Sequence, residues 1–323
     1  MNKVLGIGNA LVDTMVRLES DDFLNEMNLP KGSMQLVDKD HVKNIESKCE
    51  GFMKSKSSGG SAANTIHGLA RLNVETGFIG KVGNDELGEF FIRDLKSSNI
   101  EPIILYGKNH SGHALAFISP DSERTFATHL GAALELNAVD LKDEFFGGYQ
   151  YLHIEGYLLQ NHSLVQRALE MAKKNKLKIS LDLASFNVVI ENIDVLKKWV
   201  NEYVDILFAN EEEAKAFTGK EPEDALHEMG NKTEIAVVKT GKCGSLIKKD
   251  NFVCRIEPIF ANVADTTGAG DAYAAGFLFG LTKDFDLNQC GKIATVLASK
   301  VIEGIGAKMN KKQWEEVYGL IGL

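Results

Sequence analysis

The chain has 323 residues, 44% hydrophobic and 25% charged, with a formal net charge of -9. That length and balance suit a globular protein with a large core, and the negative charge excludes a nucleic-acid binder held by a general basic surface. Cys49, Cys243, Cys254 and Cys290 lie far apart without zinc-site spacing and read as reduced structural thiols.

The first segment, "KVLGIGNA" (3–10), is a short apolar run ending in Gly and Asn, as a buried strand entering a turn does. Lys3 before an apolar stretch has the look of a leader, but Asp13 interrupts it and no A-x-A-like site follows. With no run of about 18 apolar residues to span a bilayer, a cytoplasmic protein without a membrane partner is expected. A helix is predicted from Ser61, where "SAANTIHGLARL" places Ala62, Ile66, Leu69 and Ala70 at helical spacing. Strand and helix then alternate: "VETGFIG", "DELGEFFIRDLKSS", "QYLHIEGYL", "HSLVQRALEMAKKN" and "LKISLDL". The pattern continues through "VDILFAN", "EEEAKAFTG", "TEIAVVKTG" and a helix after Gly270. Alternation with nearly unbroken apolar strands implies an α/β fold, a mainly parallel sheet sandwiched by helices. Segments of about 13–37 and 100–128 depart from this rhythm and read as consecutive strands. They are expected to pair as one small sheet, a lid over the carboxyl ends of the main strands, where open α/β sheets bind ligands. No repeat or linker divides residues 1–323, so one domain is expected.

Three stretches carry chemistry. In "DTTGAGD" (265–271), Gly268 and Gly270 permit a tight turn before a helix whose free N–H groups make an anion site. Asp271 either complements the helix dipole or accepts a proton from an attacking hydroxyl while the backbone holds a transferring phosphoryl group. In "SSGGSAAN", Gly59 and Gly60 precede the helix that carries Asn64; these are a flexible turn and a cap or, with Asp13, a set of groups for a polyhydroxylated substrate. Asn210 and Glu213, three apart at a helix start, share a face and can orient water around Mg2+, or form a solvated acidic turn. Thr240, Gly241 and Gly244 make a turn able to admit a nucleotide, or serve an ordinary hairpin. "GIGNAL" lacks the third glycine of a dinucleotide fingerprint, and no Walker-type loop is present. The eight histidines show no metal spacing.

In order, Asp13, "GGSAAN" (59–64), "GKVGNDELG" (80–88), N-x-x-E, T-G-x-x-G and "DTTGAGDAYAAGFL" (265–278) resemble the ribokinase-like (PfkB) family of carbohydrate and nucleoside kinases across nearly the whole chain. The resemblance implies ATP-dependent phosphorylation of a hydroxymethyl group, with ATP as donor and Mg2+ as cofactor. It makes Asp271 the base and Gly268, Ala269 and Gly270 the anion hole. Asp13, Gly59, Gly60, Asn64 and Glu155 become substrate binders, Asn210, Glu213, Thr240, Gly241 and Gly244 the ATP side, and Glu213 a water-mediated Mg2+ partner. It also places Asp265 and Thr267 near a monovalent-cation site, K+ in some members. The segment 111–133, with "SERT" then "LGAA", resembles the acceptor-side lid of bacterial adenosine-kinase-like members. Adenosine or a related ribonucleoside is therefore the first expectation; ribose, fructose or a keto-deoxy sugar acid is the second. A dehydrogenase and a non-catalytic sugar or nucleotide sensor are the readings from other classes, against which stand the incomplete dinucleotide motif and the presence of Asp271. A monomer or a homodimer through an apolar lid face is compatible with these residues.

Overall fold

The computed structural model describes residues 2–49, 51–52, 54–121 and 123–322. Its strands, in chain order, are β1 (Val4–Ile7), β2 (Leu11–Arg17), β3 (Met34–Leu36), β4 (Lys54–Gly59), β5 (Thr76–Val82), β6 (Ile100–Tyr106) and β7 (Gly112–Ile118). They continue as β8 (Arg124–His129), β9 (Tyr151–Glu155), β10 (Lys178–Asp182), β11 (Ile206–Asn210), β12 (Ile235–Lys239), β13 (Ser245–Lys249) and β14 (Phe252–Ile256). Among the described residues, nine strands form one sheet in the order β14-β13-β12-β11-β10-β9-β1-β5-β6, parallel from β12 to β6 and closed at the other edge by an antiparallel hairpin.

The near-continuous apolar strands are explained by burial on both faces. Leu5, Ile7, Leu207 and Ala209 point into a core shared with the helices His162–Lys174 and Ile193–Glu202. Their neighbours Val4, Ile206 and Phe208 point into the opposite core, against Ser61–Arg71 and Ala269–Thr282. Period-two alternation thus feeds two cores from one apolar run. The fold is α/β as expected.

A second sheet has the order β3-β8-β7-β2-β4. Val16, Leu115, Phe117 and Ala127 form its covered face, packed against Val42 and Ile45 of the helix Lys39–Lys48. Alternate residues of β2 and β8, including Leu11, Asp13, Arg124 and Phe126, belong to the opposite face, which looks toward the large sheet. Two differences from the sequence reading arise here. The segment "IEPIILYG", expected in the small sheet, is β6 and pairs parallel with β5 at the edge of the large one. The polar run "KSKSSG" is β4, antiparallel to β2; an edge strand is held by its backbone pairing and needs no apolar alternation. Among the described residues no helix is long and apolar enough to cross a membrane.

Candidate active site

The parallel strands deliver polar residues to one end of the sheet. Asn9 follows β1, while Glu155, Asp182, Asn210 and Lys239 close β9, β10, β11 and β12; all five line a cleft of about 1840 Å3 between the two sheets. This is where an open α/β sheet exposes its strand ends.

Residues 265–271 form one wall. Gly268 has φ of +76°, and a Cβ there would sit 2.7 Å from the Ala307 Cα, so the turn accepts only glycine without strain. The helix Ala269–Thr282 starts from it. The amides of Gly270 and Asp271 find no acceptor among the described residues, as expected for a first helical turn. Asp271 is gripped from the neighbouring helix: Ser61 Oγ donates to Oδ1 at 2.7 Å and Asn64 Nδ2 to Oδ2 at 2.9 Å. Burial raises its pKa to about 6, against the pull of those two hydrogen bonds. Asn64 Oδ1 is buried without a partner, an acceptor left for a hydroxyl.

Asp13 lies behind Gly59, where a Cβ would be 2.3 Å from its carboxyl group. Burial lifts Asp13 to about 7, Lys308 pulling the other way. Gly60, with φ of +98°, brings the chain against the Asn9 carbonyl oxygen, which a Cβ would approach to 2.1 Å. Glu155 reaches the cleft, yet both oxygens are engaged by the protein: Oε1 accepts from Asn9 N and Nδ2, and Oε2 from Ala62 N at 2.8 Å. Its geometry is that of a clamp between the end of β1 and the start of the Ser61–Arg71 helix, and burial raises it to about 7.

Asn210 and Glu213 form a reciprocal capping box on the helix Glu211–Thr218: Glu213 N donates to Asn210 Oδ1, and Asn210 N and Nδ2 donate to the Glu213 carboxylate. With both oxygens bonded, Glu213 suits a hydrated ion better than direct ligation. Among the described residues no group of three His, Cys, Asp or Glu side chains could hold a metal by itself. That donor set fits Mg2+, which keeps its waters and takes one or two carboxylates together with phosphate oxygens. Thr240 Oγ1 is buried without a partner, and the Gly244 Cβ position lies 1.9 Å from the Ile256 carbonyl oxygen, so this glycine shapes the β12–β13 turn.

The monovalent-cation expectation at Asp265 and Thr267 does not fit. Oδ1 of Asp265 accepts from Thr267 N and Oγ1, and Oδ2 accepts from Gly306 N and is ion-paired with Arg124. The carboxylate is already neutralised.

Gly60, Glu155, Asn210, Glu213, Gly241 and Gly244 line the cleft together with Thr267, Gly268, Ala269, Gly270 and Asp271, whereas Asp13, Gly59, Asn64, Thr240 and Asp265 stand just behind its wall. Sequence reasoning missed Ser61, Asp182 and Lys239. Lys239 donates to Asp182 Oδ2 at 2.8 Å, and its Nζ lies 3.2 Å from where a Gly270 Cβ would be. Burial works to lower Lys239, but Asp182 and Glu213 outweigh it and the net shift is upward, so it carries a charge beside the free amides. In the sequence a charged residue closes each strand, at "ISLD" and "AVVK", but nothing local says that the two meet.

Residues 33–313 match the pfkB family of carbohydrate kinases. A 5-dehydro-2-deoxygluconokinase from Geobacillus kaustophilus is 31% identical over 264 residues, 76% of this chain and 78% of that protein. The solved adenosine kinase of Sinorhizobium meliloti is 31% identical with a TM-score of 0.86, covering 98% of this chain and 99% of that one. A probable sugar kinase from Rhizobium etli is 29% identical with a TM-score of 0.87, covering 99% of both chains.

Proposed function

Because this chain belongs to the pfkB family of carbohydrate kinases and is an ATP-dependent kinase, we propose that it phosphorylates the hydroxymethyl group of a ribonucleoside of the adenosine type. The observation that carries this reading is the mixed character of the acceptor end. Leu11, Leu36, Phe126, Leu130 and Leu134 make an apolar surface able to take a nucleobase, close to the hydroxyl-binding pair Asp13 and Asn64. Of the lysines lining the cleft, Lys239 is paired with Asp182, and Lys242 stands at the opposite, nucleotide-side turn. Lys308, behind Asp13, is tied to Ser58 and Asp94 and stays off the wall. The likeness to the Sinorhizobium meliloti adenosine kinase points the same way.

In this reading Asp271, held by Ser61 and Asn64, takes the proton of the acceptor hydroxyl. The amides of Gly270 and Asp271, with Lys239 beside them, receive the charge of the transferring phosphoryl group. Thr240, Gly241 and Gly244 shape the nucleotide end. Mg2+, when bound with ATP, neutralises phosphate charge, with Glu213 and Asn210 ordering its waters. The small sheet serves as the lid that excludes water.

The second reading, a keto-deoxy sugar acid, rests on the Geobacillus kaustophilus relative. An ATP-consumption assay over adenosine, other ribonucleosides, ribose, fructose and 5-dehydro-2-deoxygluconate decides between them. The highest kcat/KM is expected for adenosine or a close ribonucleoside; a sugar or sugar acid turned over at least tenfold more efficiently overturns the nucleoside reading.

A further inference from the structure

Arg124 is carried by β8 of the small sheet, yet its side chain ends on the turn of the large body that precedes the helix Ala269–Thr282. The pair it forms is nearly sealed: the Arg124 and Asp265 side chains are 7% and 5% exposed. Nη1 of Arg124 meets Asp265 Oδ2 and lies 3.3 Å from Thr267 Oγ1. An ionised carboxylate offers about four lone-pair directions, and Asp265 has four donors: Thr267 N, Thr267 Oγ1, Gly306 N and the guanidinium. A second cation would find neither a free lone pair nor a net negative charge. Arg124 is not consumed in return, since Nε and Nη2 are buried without acceptors among the described residues. Its positive charge therefore stands behind Thr267, which directly precedes Gly268 and the turn whose amides face the cleft.

We infer that Arg124 is a built-in monovalent cation for the Asp265–Thr267 turn, so that this kinase needs no potassium, and that the charge reaches the turn only with the small sheet docked. Arg124 acts through the turn and is a positioning residue. The inference rests on the phosphotransferase reading of the site for its kinetic arm, and on the geometry alone for its binding arm.

The test uses the wild-type chain, Arg124→Ala and Arg124→Lys in chlorides of potassium, sodium or tetramethylammonium at one ionic strength. Steady-state kcat and KM are read with the best acceptor of the panel, and the melting temperature without ATP. For the wild type, kcat is expected to agree within about twofold across the salts, with no potassium-specific shift in melting. Arg124→Ala should lose on the order of 100-fold in kcat with a smaller change in acceptor KM. Potassium should restore at least about tenfold of that loss and raise its melting temperature selectively, by binding the vacated carboxylate. Arg124→Lys should fall between. A wild-type kcat that rises more than about fivefold from tetramethylammonium to potassium overturns the inference, as does an Arg124→Ala protein that potassium neither reactivates nor stabilises. If Arg124→Ala does not fold, Arg124→Lys and the wild-type salt series still decide. If no acceptor turns over, the acceptor reading fails while the melting series continues to report on the cation.

Discussion

Asp271 meets two opposed demands. Burial makes its charge costly and raises its pKa to about 6, while Ser61 and Asn64 hold the charged form in place. A base must be ionised, so kcat/KM should climb with pH through about 6 and level off above it; a profile flat from pH 5 to 8 contradicts the assignment. Asp271→Asn should keep ATP binding and lose roughly 10²–10⁴-fold in kcat. The same substitution removes a buried charge, so the loss of stability as pH rises through about 6 should be shallower than in the wild type. Lys239→Gln should lower kcat by on the order of 100-fold, by taking the charge from beside the free amides. Asp271, Asn64 and the glycines were legible because small residues before a lone carboxylate have few other uses. Ser61 and Lys239 were not, since their partners, Asp271 and Asp182, are 210 and 57 residues away in sequence.

At the scale of elements, the helix starts do most of the positioning. The helix Ser61–Arg71 has no side-chain cap of its own at Gly60, and Glu155 supplies an acceptor for Ala62 N from another strand. Glu155→Ala should therefore cost about 2–3 kcal/mol in urea unfolding, by leaving buried donors of Asn9 and Ala62 without acceptors; a loss below about 0.5 kcal/mol removes the clamp role. Gly268→Ala forces a side chain into a turn at φ of +76° against Ala307, and should reduce both stability and kcat. The parallel strands and their helices were readable because each is a local period with its own turn chemistry. β6 was misplaced and β4 went unread for one reason. A polar edge strand and an apolar edge strand differ in what they lie beside, and neighbours across a sheet are chosen by the chain's crossovers and not by the strand's own pattern.

For the whole molecule, the cleft sets the response to pH. Burial raises Asp13 and Glu155 to about 7 and Asp271 to about 6, above their unfolded values. Each contributes stability that is fully present below the unfolded pKa and lost as pH rises through 6 to 7. His67 and His153, depressed by burial to about 3 and about 4, act oppositely: the unfolded chain gains their protons below about 6.5, so their contribution falls as pH drops. Above about pH 6.5 the histidines add no slope, and the carboxylates alone set that of the ligand-free protein. Its melting temperature should fall between pH 6.5 and 8, and Asp13→Asn should flatten that limb; a melting temperature that rises steadily to pH 8 is inconsistent with this account. By itself the sequence determined the α/β class, the strand–helix alternation, the ordered kinase motifs and the lone carboxylate after "GAG", because these depend on local periodicity, turn chemistry and motif order. Tertiary structure alone decided which strands belong to the small sheet, that Glu155 is a clamp, that Lys239 stands beside the amides, and that Arg124 pairs with Asp265. Those outcomes depend on pairs distant in sequence, Arg124 with Asp265 and Glu155 with Ala62, whose meeting is settled only when the two sheets and their covering helices pack.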